Sequence, residues 1–162
     1  MESIHLLSAE QTQIFGEVIG KTAQASDNLF LTGDLGAGKT TMTKGVGKGL
    51  GIRQMIKSPT YTIVREYEQG RLPFYHMDIY RLAEGADDLG FDDYFEGSGL
   101  TVVEWGELLG EEKPNDYLEI IIKKQEDENK RVLEFQTYGQ RSVNWLKEIK
   151  EEWIKQNGNR KN

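Results

Sequence analysis

The stretch FLTGDLGAGKTTMTKG, residues 30–45, decides the fold. Its short apolar start predicts a buried strand over residues 29–31, and the chain from 39 to 50 is predicted to be helical. Between them lies Gly-x-x-x-x-Gly-Lys-Thr, which runs from Gly33 to Thr40. A strand, this glycine-rich loop and a helix, in that order, are the P-loop pattern in its required context.

The loop predicts a site for a triphosphate because glycine lacks a side chain. Such a loop can wrap the phosphates closely and aim several backbone N–H groups at their oxygens. The following helix directs its N-terminus, with its partial positive charge, at the same phosphates. Lys39 adds a charge between the β- and γ-phosphates, and Thr40 places a hydroxyl on Mg²⁺. The predicted nucleotide-binding residues are Gly33, Asp34, Leu35, Gly36, Ala37, Gly38, Lys39, Thr40 and Thr41.

Two carboxylates at strand ends are candidates for the metal and the attacking water. Asp78 ends LPFYHMD, and Glu104 ends the apolar run LTVVE, which has the form of a Walker B strand. A P-loop enzyme needs such an acid to hold Mg²⁺ or its water. We therefore predict Lys39, Asp78 and Glu104 as catalytic residues, and Thr40 and Glu104 as metal ligands. Either acid could instead be a solvated strand end, and a lone His76 in a strand is more often structural than a ligand.

The composition bounds the class of protein. The 162 residues suit a single domain, predicted over residues 1–155 with a disordered tail at 156–162. Twenty Lys and Arg residues against 27 Asp and Glu give a net charge of −7, which argues against broad non-specific nucleic-acid binding. The absence of cysteine excludes disulfides and cysteine-based zinc sites. No apolar run has the length of a membrane span and the N-terminus does not resemble a secretion signal, so a cytoplasmic location is expected.

Periodicity and turn residues predict the other helices and strands. Ser8 and Gln11 form a capping-box pattern before a predicted helix at 9–25. The three glycines of the second helix are expected to allow close packing against the sheet. The remaining predictions are a hairpin of strands at 61–68 and 72–80, two short helical turns within 85–99, strands at 100–105, 117–123 and 130–137, and a helix from Ser142.

Four sequence blocks together resemble a known family, TsaE. They are Gly33–Thr41 (GDLGAGKTT), Ser58–Tyr61 (SPTY), His76–Leu82 (HMDIYRL) and Val103–Glu107 (VEWGE). The P-loop alone is shared by many NTPases, whereas the four blocks in this order and spacing are specific, and the match extends over about residues 5–138. The resemblance implies an α/β, three-layer P-loop NTPase fold with a mixed, mostly parallel central sheet and flanking helices.

The resemblance also implies a function. Proteins of this family bind ATP with Mg²⁺ and act in making N6-threonylcarbamoyladenosine in tRNA. They join an assembly of TsaD with TsaB, and their ATP hydrolysis supports cycling of that assembly without transferring the modifying group. By motif, Lys39 would bind phosphate, Thr40 and Glu104 would hold Mg²⁺, and Asp78 would be needed for hydrolysis. Trp105 would lie beside the nucleotide, and the SPTYT segment would act like a switch near the γ-phosphate.

Three other functions stay open on the sequence alone. A small-molecule kinase usually needs an arginine-rich lid, and the arginines here are scattered along the chain. A GTPase switch would need Asn-Lys-x-Asp, whereas the segment from Asn129 to Val132 has only the first two of those residues. An ATP-sensing module with little turnover would show the same motifs as an ATPase.

Overall fold

The computed structural model describes residues 3–34, 36–54, 56, 64–79 and 91–160. Residues 157–160 are described by their backbone alone. The helices are α1 (Ala9–Thr22), α2 (Lys39–Gly49), α3 (Phe91–Phe95) and α4 (Gln140–Arg160), with a 3₁₀ segment at Gly106–Glu112. The strands are β1 (Ile4–Leu6), β2 (Asn28–Thr32), β3 (Val64–Tyr67), β4 (Phe74–Asp78), β5 (Leu100–Glu104), β6 (Tyr117–Lys124) and β7 (Arg131–Tyr138). No helix in this described part is long and apolar enough to cross a membrane.

The seven strands form one sheet in the order β1-β7-β6-β2-β5-β4-β3. The central strand β2 pairs in parallel with β5 and β6, and β4 pairs in parallel with β5. Antiparallel pairs join β3 to β4, β6 to β7 and β7 to β1. All strands except β3 and β7 therefore run in the same direction. The mixed, mostly parallel sheet is as expected, and β2 sits at its centre because its apolar run can be buried on both faces.

Two apolar clusters cover the two faces of the sheet. The larger cluster packs α1, α2 and α4 on one face, and the smaller packs α3 and the 3₁₀ segment on the other. Consecutive residues of β5 show the alternation, since Val102 belongs to the larger cluster and Val103 to the smaller. The result is the three-layer arrangement of helices, sheet and helices expected from the family.

The first two helices pack through four glycines, Gly16, Gly20, Gly45 and Gly49. A Cβ added at any of them would lie 2.1–2.2 Å from a main-chain carbonyl oxygen of the other helix. The prediction that the α2 glycines pack against the sheet is therefore wrong for Gly45 and Gly49, which face α1. It is correct for Gly47, where a Cβ would lie 2.6 Å from the side chain of Ile56 and 3.8 Å from that of Phe74 in β4.

The start of α1 follows the predicted capping box with one change. The Ser8 hydroxyl accepts a hydrogen bond from the Gln11 N–H at 3.1 Å, as expected. The Gln11 side chain accepts from the N–H of Leu7 at 2.8 Å, one residue before the cap. The helix then ends at Thr22, three residues earlier than predicted.

Other elements also differ from the sequence prediction. Helix α4 begins two residues earlier than predicted and continues to Arg160, into the segment at 156–162 for which disorder stays a prediction. Strand β1 was not predicted, and it is three residues long with its hydrogen-bonding partner far along the chain. One of the two expected helical turns is α3, whereas residues 80–90 and the start of the predicted hairpin at 61–63 lie outside the described residues.

Candidate functional site

The glycine-rich loop follows β2 at the carboxyl end of the sheet. Gly36 and Gly38 adopt φ angles of +79° and +111°, in the left-handed region that residues with a side chain rarely enter. A Cβ at Gly33 would lie 2.8 Å from the carbonyl oxygen of Ile122 in β6. The glycines that define the motif are thus required here by the backbone. The predicted site residue Leu35 lies outside the described residues.

Helix α2 starts directly behind this loop, and among the described residues no side chain is recorded as its cap. Its N-cap residue, Gly38, makes no side-chain capping bond, and the first turn contains no acidic residue. Thr40 and Thr41 lie in that first turn, Thr40 being exposed. The first N–H groups of a helix have no partner within the helix, so this start is suited to an anion from outside the chain.

Lys39 is held over the mouth of the loop. Its side chain is mostly buried, at 7% exposure, and its Nζ donates to the carbonyl oxygen of Gly33 at 2.9 Å. The same Nζ lies 4.6 Å from the ring centroid of Trp105, a cation–π contact. Trp105 turns out of β5 with a left-handed φ of 62°. The structure therefore brings together Lys39 and Trp105, which the family resemblance had placed at the nucleotide.

The two candidate carboxylates lie side by side at the ends of adjacent strands. Asp78 of β4 is the register partner of Glu104 of β5, and Glu104 in turn is opposite Leu31 of β2. Registered residues of parallel strands share a face, and Glu104 shares its face with Val102, which packs in the cluster with α1 and α2. Both acids are thus on the side of the sheet against which helix α2 packs.

Glu104 is buried and bonded by a histidine. It is 7% exposed, and its Oε2 lies 2.6 Å from Nε2 of His76, which is 1% exposed. Opposite an ionised carboxylate, which can only accept, the Nε2–H tautomer of His76 is the donor in this bond. His76 Nδ1 has no hydrogen-bond partner among the residues that the structure describes. His76 therefore orients the carboxylate, a role that the sequence analysis did not foresee.

The donor chemistry fits Mg²⁺ bound together with phosphates. The described residues include no cluster of three or more His, Cys, Asp or Glu side chains suited to a metal. Mg²⁺ is typically held by one or two carboxylates with phosphate oxygens and water, rather than by a cage of protein ligands. A Thr40 hydroxyl and the Oε1 of Glu104, with Oε2 engaged by His76, match that pattern of hard oxygen donors.

A cavity of about 550 Å³ opens beside the loop. Four predicted site residues line it, namely Gly33, Asp34, Lys39 and Trp105, while Thr40, Asp78 and Glu104 are not among its described lining residues. The other lining residues were not predicted from the sequence, and they come from β2, β6 and the 3₁₀ segment: Leu31, Thr32, Glu107, Ile121, Ile122, Lys123 and Lys124. Lys123 and Lys124 at the end of β6 were only a weak sequence signal for this site, because the sequence did not show that β6 is the neighbour of β2.

The central strands of the sheet are parallel, and the middle strand leads through the glycine-rich loop into helix α2. This arrangement defines a P-loop α/β protein. The sequence model of the family described as "Threonylcarbamoyl adenosine biosynthesis protein TsaE" matches residues 6–133. The chain belongs to the TsaE family.

Similar proteins support this assignment. The chain is 45% identical to the tRNA threonylcarbamoyladenosine biosynthesis protein TsaE of Bacillus subtilis, over 78% of this chain and 80% of that protein. It is 40% identical to the protein of the same name from Treponema pallidum, over 77% of this chain and 93% of that one. Its structure resembles the crystal structure of Bacillus subtilis YdiB, with a TM-score of 0.82 and 38% identity over 93% of this chain and 95% of that one.

Proposed function

We propose that this chain is a Mg²⁺-dependent ATPase of the tRNA N6-threonylcarbamoyladenosine pathway. It hydrolyses ATP to support cycling of an assembly of TsaD and TsaB proteins, and it reaches tRNA through these partners. The observation that supports nucleotide binding most strongly is the uncapped start of α2 behind the glycine loop, beside the buried ammonium of Lys39. The pathway rests on membership of the TsaE family.

Each candidate residue has a distinct task in this proposal. The loop N–H groups and Lys39 bind and orient the phosphates, and Thr40 and Glu104 hold Mg²⁺. The bound metal supplies charge neutralisation on the phosphate oxygens. Asp78, at the end of the neighbouring strand, orients the attacking water and takes its proton. In this division of roles, Glu104, which His76 orients, serves the metal, and the adjacent Asp78 serves the water.

Turnover is proposed to depend on the partners. The family resemblance points to another chain as the activator, and an arginine delivered by a partner can raise turnover by about 10³–10⁵-fold. Arg131, whose guanidinium bonds the loop, is engaged with main-chain carbonyl oxygens rather than being available for phosphate. The net charge of −7 is consistent with partners making most of the contact with tRNA.

Phosphate release measured under three conditions tests the proposal. The chain would be assayed with ATP and Mg²⁺ alone, with tRNA, and with the TsaD–TsaB pair. We expect slow release alone, no stimulation by tRNA without the partners, and marked stimulation by the pair. Fast release by the isolated chain, or stimulation by tRNA alone, would contradict the proposed dependence on partners. Binding of ATP without stimulated release would favour a sensing module instead.

A further inference from the structure

The guanidinium of Arg131 joins the glycine loop to the turn that precedes β7. Its Nε donates to the carbonyl oxygen of Ala37 at 2.6 Å, and its Nη2 lies 3.4 Å from that of Gly36. Its Nη1 donates to the carbonyl oxygens of Glu128 and Lys130, at 2.6 and 2.8 Å, in the turn before β7. One side chain thus bonds two segments that are more than 90 residues apart in sequence.

The base of this side chain is firmly placed. Arg131 is the first residue of β7, where it is registered opposite Leu6 of β1 on one side and Lys124 of β6 on the other. Strand pairing on both sides fixes its Cα, and the two bonds to the turn fix one edge of the planar guanidinium. The remaining donors of the guanidinium are therefore directed at the loop. Lysine could not replace arginine here, because its ammonium lacks the planar group that holds several donors in fixed directions.

The bond to Ala37 acts on the peptide that leads into α2. In a trans peptide, the carbonyl of one residue and the N–H of the next point in opposite directions, and the described chain has no cis peptide. Because Arg131 holds the Ala37 carbonyl, the N–H of Gly38 is directed away from Arg131. The preceding peptide serves a different purpose, since the N–H of Ala37 donates to the carbonyl oxygen of Asp34 at 3.0 Å.

We propose that Arg131 is a positioning residue of the phosphate site. It fixes the Ala37–Gly38 peptide from behind so that the Gly38 N–H and the start of α2 present one arrangement of donors to an anion. This inference rests on the proposed nucleotide binding and adds the residue that preorganises it. Without Arg131, part of the binding free energy is spent on ordering the loop, so affinity falls although Arg131 does not contact the ligand.

The chain offers a matched control in Arg71. The Nη2 of Arg71 donates to the carbonyl oxygens of Gly20, Lys21 and Ala23, at 2.8, 3.2 and 2.8 Å, where α1 ends. Like Arg131, it clamps main-chain carbonyls with a guanidinium, but it does so away from the glycine loop. Substitution of either arginine is expected to lower the unfolding temperature, because each stabilises main-chain carbonyls. Only substitution of Arg131 is expected to lower the affinity for ATP as well.

Titration of the full chain with ATP and Mg²⁺, by calorimetry well below the unfolding temperature, tests the inference. We expect Arg131→Gln to raise the dissociation constant by about tenfold, and Arg71→Gln to leave it within about twofold of the wild type. Arg131→Lys keeps the charge and one donor and should give an intermediate value, and it serves as the measured variant if Arg131→Gln does not fold.

The outcomes separate this inference from the proposed function. A wild-type chain that binds ATP, with an unchanged affinity in the Arg131 variants, would overturn the positioning role alone. Equal loss of affinity in the Arg71 and Arg131 variants would also overturn it, because the effect would then come from general destabilisation. A wild-type chain that does not bind ATP with Mg²⁺ would remove the proposed function and this inference with it.

Discussion

Helices α2 and α4 begin in the same way, but the acceptors for the N–H groups of their first turns differ. Each follows a glycine in the left-handed region, Gly38 with a φ of +111° and Gly139 with a φ of +92°. At α4, the carboxylate of Asp116 accepts from the N–H groups of Arg141 and Ser142, both at 2.9 Å. At α2 no side-chain cap is recorded among the described residues. Within that part of the chain, a carboxylate serves the start of α4, and the start of α2 has no such anion.

The space beside each glycine shows the same difference. A Cβ on Gly139 would lie 2.2 Å from an Asp116 carboxylate oxygen, so the carboxylate occupies that position. Among the described residues, the nearest atom to a Cβ on Gly38 would be Cγ2 of Thr12, at 3.7 Å. An uncapped helix start costs stability in a protein without its ligand. A start that stays open despite that cost is therefore expected to be where a ligand binds, and the following predictions test this contrast.

The largest effect is expected on turnover from Asp78→Asn. The amide cannot take a proton from water, so we expect phosphate release in the presence of partners to fall by about 10²–10⁴-fold, with ATP affinity nearly unchanged. Glu104→Gln is the comparison, since it should weaken the Mg²⁺-dependent part of ATP binding. Equal loss of affinity in both variants would contradict the separate roles assigned to the two acids.

A large loss of binding is expected from Lys39→Ala, which removes the buried ammonium at the open helix start. Losing a charged hydrogen bond to phosphate should weaken ATP binding by about a hundredfold. Wild-type stability should rise by about 2.7 kcal/mol at a hundredfold excess of ATP over its dissociation constant, and the variant should lose most of that rise. Thermal unfolding with and without ATP and Mg²⁺ measures this. Lys44→Ala, at an exposed position of the same helix, should retain the full shift.

A moderate loss of stability is expected from Asp116→Ala at the closed helix start. Two N–H groups of α4 lose their acceptor, so the free energy of unfolding should fall by about 1–2 kcal/mol. Chemical denaturation without nucleotide measures the loss, and the additional stabilisation by ATP should match that of the wild type. A variant as stable as the wild type would show that capping by Asp116 does not matter for the fold.

The smallest effect is expected from Ser8→Ala at the start of α1. This helix is closed by a neutral hydroxyl rather than a carboxylate, through the 3.1 Å bond from the Gln11 N–H. We expect a loss of about 1 kcal/mol in the free energy of unfolding, measured by denaturation in parallel with the Asp116 variant. A larger loss in the free energy of unfolding for Ser8→Ala than for Asp116→Ala would contradict the expectation that the carboxylate cap of α4 stabilises more than the hydroxyl cap of α1.

The features that local sequence determines were predicted well. The strand, the glycine loop and the helix at residues 30–45 follow from glycine, from apolar periodicity and from motif spacing. Asp78 and Glu104 were likewise predicted at strand ends, and they are register partners at the ends of β4 and β5 although the predicted strands ran one or two residues further. Their roles in chemistry stay predictions.

The features that depend on long-range pairing could not be predicted. The bond between His76 and Glu104 requires that β4 and β5 be neighbours, and the bonds of Arg131 require that β7 lie near the loop. Strand β1 has only three residues and owes its form to pairing with β7. Gly45 and Gly49 of α2 pack against α1 rather than the sheet, because a glycine permits close approach but does not specify the element that approaches.

The glycine contact between α1 and α2 has a consequence for how the protein opens. With main chain against main chain at four glycines, neither helix can separate without breaking the whole contact. We therefore expect amide hydrogens of both helices to exchange with deuterated solvent at the same slow rate, as one cooperative unit. Because α2 carries the glycine loop at its start, slower exchange in α1 on adding nucleotide would report occupancy from a helix that contributes no residue to the predicted phosphate site.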